Sequence, residues 1–213
     1  MGYVGFEHEK EQFLRKTDKS KKGSIDKKIK GLVNLINKHP DYYTTSSCSG
    51  RTMLIRIPRK GKKWESEWLF SSHGKVGFRQ VKEAINSVIE MGIKDPIWLK
   101  KEGLILHICC RNLESAFFLV DIASKSGFKR PAVISAKRKI VVEILDTEKI
   151  ELPVIISNKV LVDDKYLKVL INEANIKQDA TLRKIKRLYT MMAKYRIDKV
   201  KKQKGMTPSK QAN

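Results

Sequence analysis

The sequence predicts a mixed α/β fold of the α+β kind, with mixed sheets flanked by helices and extra helices near the C-terminus. Apolar stripes at helical spacing alternate with short runs of β-branched and aromatic residues. The 213 residues, 41% of them hydrophobic, suffice for one well-packed domain or two small ones. No two glycines are separated by a single residue, so the G-x-G fingerprint of a Rossmann nucleotide-binding fold is absent.

Two helices are predicted at the start of the chain. The first covers residues 9–16. Ser24 has the side chain of an N-cap, and Asp26 then falls in the first turn of the second helix, where an acid also favours the helix dipole. This second helix ends before Pro40, and its apolar stripe consists of Ile25, Ile29, Leu32, Val33 and Ile36.

Strands follow at residues 42–45 and 52–57, with a third at 64–71 after a basic loop. The third strand places three aromatic side chains on one face, namely Trp64, Trp68 and Phe70. Aromatic residues aligned in this way usually belong to a core, so we expect packing rather than a base-stacking surface.

The middle of the chain repeats this alternation. A helix with apolar residues from Phe78 to Ile89 ends at Gly92, and Asn112 caps a second helix that ends at Gly127. Strands are predicted at 97–101, 104–110, 132–136 and 140–145, the last two forming a hairpin. Each half of residues 41–146 then holds several strands and one helix, which is compatible with a duplication.

The C-terminal part is predicted to be helical, with apolar stripes at 166–174 and 182–192. We therefore divide the chain into a core at 1–152, a helical extension packed on the same domain at 153–198, and a basic tail at 199–213. The tail has nothing to bury, and we expect it to stay disordered until it meets an anion.

Charge is the strongest compositional signal. Forty-five Lys and Arg against 23 Asp and Glu give a formal net charge of +22, which indicates an anionic partner, most simply nucleic acid. No apolar run is long enough to cross a membrane. Three cysteines make no disulfide framework, and no secretory signal is readable, so we expect a cytoplasmic protein.

The most unusual segment is Ser46-Ser47-Cys48-Ser49-Gly50-Arg51. Gly50 permits a positive φ, which lets successive backbone N–H groups converge on one anion. Ser47 and Ser49 add donors, and Arg51 can bind a carboxylate or phosphate through two parallel hydrogen bonds. The alternative is an ordinary polar hairpin turn between the two flanking strands, since Ser and Gly are common in turns.

Cys48 raises a second hypothesis, a cysteine nucleophile with His73 or His107 as its base. Nothing in the sequence supplies a third, orienting group. His107 also shares a strand face with apolar neighbours, which is typical of a core histidine. We expect no metal, because Cys109 and Cys110 are consecutive on a strand and the four histidines lack ligand spacing.

These segments resemble the wybutosine-synthesising methyltransferases of phenylalanine tRNA, especially their archaeal branch. The similarity runs over roughly residues 13–152. It is carried by Lys21-Lys22-Gly23-Ser24-Ile25-Asp26, Tyr42 through Arg51, Ser72-His73, Glu102 with His107, Gly127-Phe128-Lys129-Arg130 and Val141-Val142-Glu143.

The resemblance implies an enzyme that uses S-adenosyl-L-methionine to methylate N4 of a demethylated wyosine precursor beside the tRNA anticodon. It also implies a fold other than that of the Rossmann methyltransferases. Cofactor-binding candidates are Ser47, Ser49, Gly50, Arg51 and His107. Asp26 and His73 are candidates to orient the acceptor or take a proton, and Cys48 is a third catalytic candidate.

The basic residues expected to contact RNA are Lys21, Lys22, Lys27, Arg130, Arg183 and Arg187. The alternative function is a basic RNA-binding module without catalysis, associated with tRNA or the ribosome. That alternative accounts for the charge but leaves the Ser46–Arg51 segment and Ser72-His73 without a role.

Overall fold

The computed structural model describes residues 5–15, 25–59 and 66–203, with side chains described to Tyr195. The chain forms two compact units. Unit 1 contains Met1–Ser47, Leu106–Ile144 and Lys184–Asn213, and unit 2 contains Cys48–Ile105 and Leu145–Arg183. Each unit therefore draws residues from both sides of Leu152, the boundary between the predicted core and the predicted extension.

The described residues form helices and strands in the mixed order that the sequence predicts, so the α+β fold class is confirmed. The helices are α1 (Phe6–Arg15), α2 (Lys30–Asn37), α3 (Phe78–Glu90), α4 (Leu113–Lys125) and α5 (Asp164–Gln203). The strands are β1 (Tyr42–Cys48), β2 (Arg51–Arg56), β3 (Glu67–Ser72), β4 (Ile97–Glu102), β5 (Ile105–Cys110), β6 (Ala132–Ser135), β7 (Ile140–Leu145), β8 (Ile150–Ile156) and β9 (Lys159–Val160).

Unit 1 is built on a four-stranded sheet in the order β1-β5-β7-β6. Phe6 of α1 packs against Tyr43 of β1 at a ring-centroid distance of 5.4 Å. The Tyr42 hydroxyl donates a hydrogen bond of 2.9 Å to the carbonyl of Ser115 in α4. A fully buried Tyr hydroxyl thus has an acceptor, which avoids the cost of burying an unpaired polar group.

Unit 2 is built on a five-stranded sheet in the order β3-β2-β4-β8-β9, in which every neighbouring pair is antiparallel. One core cluster joins this sheet to α3 and to the first half of α5. Its buried members include Leu54, Ile85, Leu99, Val154 and Leu167. Alternation along β4 buries residues 97, 99 and 101 and leaves 98, 100 and 102 half-buried.

The segment around residue 50 differs from its prediction. β1 continues to Cys48 and β2 begins at Arg51, so only Ser49 and Gly50 lie outside strands. The two strands form no hairpin, because β1 belongs to the four-stranded sheet while β2 lies between β3 and β4. The prediction failed because Thr and Ser residues extend β1 once a partner strand pairs with it, which local propensity does not reveal.

The start of the second helix and the C-terminal region also differ from prediction. α2 begins at Lys30, after a turn, and Ser24 lies outside the described residues. β8 and β9 occupy the first part of the segment predicted to be a helical extension. One helix, α5, replaces the two predicted helices and continues to Gln203, because no Gly or Pro interrupts it.

Trp68 is 43% exposed, so the prediction that it belongs to a core is wrong. Phe70 does pack against the core of unit 2, and Trp64 lies outside the described residues. A bulge explains the difference, since the register between β2 and β3 shifts between Leu54 and Ile55. Within the described part of the chain, no helix combines the length and apolarity needed to span a membrane.

Candidate functional site

The bend formed by Ser49 and Gly50 in unit 2 requires a glycine at position 50. Gly50 has φ of +86°, and a Cβ at this position would lie 2.5 Å from the Glu102 carbonyl oxygen and 3.0 Å from the Gly103 carbonyl carbon. Both the positive φ and this close approach exclude a side chain. The bend therefore holds Arg51 against the end of β4.

Arg51 is held by two neighbours in unit 2. Its Nε–H donates a hydrogen bond of 3.2 Å to Oε2 of Glu102, and its guanidinium carbon lies 4.0 Å from the ring centroid of Trp68. The side chain is only 18% exposed. A guanidinium has five N–H donors in a planar fork, so this arrangement leaves it able to bind a further carboxylate.

Lys101 is a fully buried lysine beside the same bend. Its Nζ donates a hydrogen bond of 2.6 Å to the Glu102 carbonyl oxygen. Burial lowers the pKa of the Lys101 ammonium to about 8, against the opposing influence of Asp146, Glu148, Cys48 and Glu102, each of which favours the charged form. No pattern in the sequence singled out this residue, although β4 places it on the face of Ile97 and Leu99.

Asp146 is a second buried ionisable group in unit 2. Its Oδ2 accepts a hydrogen bond of 2.6 Å from Thr181 in α5, and its backbone N–H bonds to the Leu104 carbonyl at 2.9 Å. A Cβ at Gly103 would lie 2.6 Å from the Asp146 Cβ, so this pair of residues also requires a glycine. The segments that contain Gly103, Asp146 and Thr181 are therefore in contact, and position 103 has no space for a side chain.

Cys48 and His73, two of the predicted catalytic residues, lie together in unit 2. The Cys48 sulfur and a ring nitrogen of His73 are within 4.8 Å of each other. Both residues are half-buried, and the His73 carbonyl accepts a hydrogen bond of 3.4 Å from the Gln178 amide. The two side chains are therefore close enough to face one bound ligand.

The other predicted site residues have different surroundings. His107 lies in unit 1, where Nε2 is 2.8 Å from Oε2 of Glu143. Asp26 is 5% exposed in unit 1, and its carbonyl accepts the N–H groups of Ile29 and Lys30. Ser49 is fully buried in unit 2, whereas Ser47 is half-buried in unit 1.

The predicted RNA-binding residues divide into three groups. Lys27, Arg130 and Arg183 are exposed, as an RNA contact requires. Arg187 is exposed as well, but its Nε–H donates a hydrogen bond of 3.0 Å to the Ser126 carbonyl in unit 1, just after α4. It therefore also stabilises the end of that helix. Lys21 and Lys22 lie outside the described residues.

Comparison with known proteins gives a family for this chain. The family model described as Methyltransferase TYW3 matches residues 8–194. A Xenopus laevis protein named tRNA wybutosine-synthesizing protein 3 homolog is 35% identical over 193 residues, which cover 89% of this chain and 75% of that protein.

Archaeal proteins are similar over comparable lengths. A Pyrococcus abyssi protein named tRNA(Phe) 7-((3-amino-3-carboxypropyl)-4-demethylwyosine(37)-N(4))-methyltransferase 1 is 35% identical over 168 residues, covering 78% of this chain and 84% of that protein. A Methanocaldococcus jannaschii protein with the same activity in its name is 31% identical over 212 residues, covering 93% and 100%.

Solved structures agree with this assignment. The structure of PH1069 protein from Pyrococcus horikoshii has a TM-score of 0.80 and 32% identity, and covers 88% of this chain and 96% of that one. A hypothetical protein from Aeropyrum pernix has a TM-score of 0.64 and 25% identity, and covers 79% and 96%. With a family match over most of its length and these relatives, the chain belongs to the TYW3 methyltransferase family.

Proposed function

We propose that this chain transfers a methyl group from S-adenosyl-L-methionine to N4 of 7-(3-amino-3-carboxypropyl)-4-demethylwyosine at position 37 of tRNA(Phe), beside the anticodon. The observation that carries the proposal is the family match over residues 8–194 together with archaeal relatives that are named for this activity. The cytoplasmic location and the absence of a metal stay predictions.

The residues of unit 2 fit the charged end of this methyl donor. S-adenosyl-L-methionine carries a carboxylate, an ammonium and a sulfonium. Arg51 is suited to the carboxylate because its guanidinium fork matches carboxylate geometry. Glu102, whose side chain is 37% exposed, is suited to the ammonium. The Arg51–Glu102 ion pair therefore presents one positive and one negative group to the carboxylate and the ammonium of the methyl donor.

The donor supplies a methyl group that is already activated by its positive sulfur. The protein mainly has to align the two reactants, which removes much of the entropic cost of the reaction. Alkylation of the ring nitrogen forms an N–C bond as the C–S bond breaks, and the base loses one proton. In our proposal His73 accepts that proton, since it lies beside Cys48 at the bend.

Substrate recognition requires the modified base to leave the anticodon stack. An enzyme that acts on a base extrudes it and holds it between aromatic or apolar side chains. Trp68 is suited to such a contact, because it is 43% exposed and its ring lies against the Arg51 guanidinium. The net charge of +22 supports binding of the phosphate backbone.

A methyl-transfer assay tests the proposed function. Purified protein and labelled S-adenosyl-L-methionine are incubated with tRNA(Phe) that carries the demethylated precursor, and with the same tRNA lacking it. We expect label in the first tRNA alone. Because no metal is expected in the reaction, a chelator should leave the rate unchanged. Tight, salt-sensitive tRNA binding without transfer would instead support the non-catalytic RNA-binding module.

A further inference from the structure

The fully buried Lys101 has no role in the mechanism described so far. A lysine is almost never fully buried unless it is paired, because removing its charge from water is costly. A neutral side chain would fill the same place on the inner face of β4 without this cost. The position therefore calls for an explanation.

Lys101 and the Gly50 bend both approach the same backbone atom, the carbonyl oxygen of Glu102. The Glu102 carbonyl oxygen accepts the Lys101 hydrogen bond of 2.6 Å, and the same oxygen would be 2.5 Å from a Cβ at Gly50. The Glu102 side chain then binds Arg51 at 3.2 Å. Lys101, Glu102 and the Gly50 bend thus form one continuous set of contacts that ends at Arg51.

We propose that Lys101 is a positioning residue for the methyl-donor site. Its ammonium fixes the Glu102 carbonyl against the Gly50 bend and so sets where the Arg51 guanidinium lies. The inference rests on the proposed function, because it assigns Arg51 to the donor carboxylate. Lys101 itself touches neither the donor nor the base.

The groups that face Lys101 come from each neighbouring segment of unit 2. Cys48 belongs to the end of β1, Glu102 to β4, and Asp146 and Glu148 to the segment between β7 and β8. Thr181 of α5 holds Asp146, and Lys177 of α5 lies 3.5 Å from Glu148. The positive charge on Lys101 therefore lies near the carboxylates of Asp146 and Glu148, which also contact Thr181 and Lys177 of α5.

The first test needs no variant. Nuclear magnetic resonance follows the backbone amide signals of Gly50 and Gly103 in the full chain from about pH 6.5 to about 9.5, an interval that brackets the lowered lysine pKa. We expect both to titrate with a midpoint near 8, where Lys101 loses its proton. Cys48→Ser serves as a control for thiol ionisation and should keep the titration. Signals that do not move, or that stop moving in Cys48→Ser, would overturn the proposal.

The second test measures binding of S-adenosylhomocysteine, which is stable in alkaline buffer, to wild type, Lys101→Met and Lys101→Arg. At about pH 7 we expect Lys101→Met to bind about tenfold more weakly, because it lacks the hydrogen bond from a charged group. Above about pH 9 the difference should close, since wild type has lost its ammonium as well. Lys101→Arg should bind more tightly than Lys101→Met. Its affinity should persist above about pH 9, because the guanidinium stays protonated there.

These outcomes separate a positioning role from a purely structural one. A structural lysine would lower the melting temperature of Lys101→Met and leave the affinity of the folded protein unchanged at every pH, which would refute the proposal. If wild type binds no S-adenosylhomocysteine and transfers no methyl group, the proposed function fails instead. In that case the amide titration still tests whether the charge on Lys101 affects the Gly50 bend through the Glu102 carbonyl.

Discussion

At residue scale, the bend at Gly50 determines the geometry of the site. The sequence singled out Ser49, Gly50 and Arg51 as candidate site residues, because a hydroxyl-rich segment with glycine and arginine is chemically unusual. The partners of Arg51 were not recognisable in the same way. Glu102 and Trp68 come from β4 and β3, and pairing between distant strands is not encoded in any local pattern.

Replacing Gly50 with alanine should destabilise the protein by about 1–3 kcal/mol, because alanine disfavours a positive φ and its Cβ would meet the Glu102 carbonyl. Urea unfolding measures this change. Gly77→Ala is the matched control, since Gly77 has φ of −91° and open space around it. Equal effects of the two substitutions would contradict the geometry described for the bend.

Replacing Arg51 with alanine should weaken binding of S-adenosyl-L-methionine by roughly 10- to 100-fold, as expected when a charge-assisted hydrogen bond is removed. Arg51→Lys should recover little of it, because an ammonium lacks the planar fork. Isothermal titration gives the affinities. Arg56→Ala is the control on the same strand, since Arg56 pairs with Glu67 and Asp95. Undiminished binding by Arg51→Ala would remove Arg51 from the donor site.

The pKa of Lys101 also predicts how stability changes with pH. The folded-state pKa is about 8, below the usual lysine value, so between these two values the unfolded chain binds more protons than the folded one. Stability should therefore rise as the pH increases through this interval. The rise should be smaller in Lys101→Met, and chemical unfolding at about pH 7.5 and about pH 9.5 measures the difference. An identical pH dependence of the two proteins would contradict the shifted pKa.

At element scale, local signals predicted most helices and strands. Asn112 accepts a hydrogen bond of 2.8 Å from the Ser115 N–H and so caps α4, as its sequence context indicated. The errors lie where pairing is non-local. β1 and β2 looked like a hairpin because they are close in sequence, yet they join different sheets. β8 was missed because its apolar run is also compatible with a helix.

Removing the Asn112 cap of α4 should lower the stability of the protein only modestly. Asn112→Ala should lower the free energy of unfolding by about 1 kcal/mol, because the Ser115 N–H loses its side-chain acceptor. Asn112→Asp should retain most of the stability, since a carboxylate accepts the same bond and favours the helix dipole. If both variants were equally destabilised, the cap would not be the reason.

At the scale of the whole molecule, composition predicts the class of partner while contacts determine the site. The net charge of +22 by itself indicates nucleic acid. It does not reveal that Arg187 also binds a helix-end carbonyl, or that Lys101 is buried beside carboxylates. The number of charged residues does not show which basic residues form contacts within the folded protein.

Binding to tRNA should depend steeply on salt, because lysines and arginines that neutralise phosphates release counterions. Deleting residues 199–213, which carry five lysines, should reduce the slope of log affinity against log salt by about one for each phosphate that the deleted lysines neutralise. Fluorescence anisotropy at several salt concentrations gives the slope. An unchanged slope would show that the deleted segment binds no phosphate.

Locating the transferred methyl group tests the central claim most directly. After reaction with precursor-bearing tRNA(Phe), the RNA is digested to nucleosides and the modified base is fragmented by mass spectrometry. We predict one added methyl group on N4 of the tricyclic base and on no other nucleotide. A methyl group on the ribose, on another ring atom or on a different nucleotide would contradict the assigned reaction.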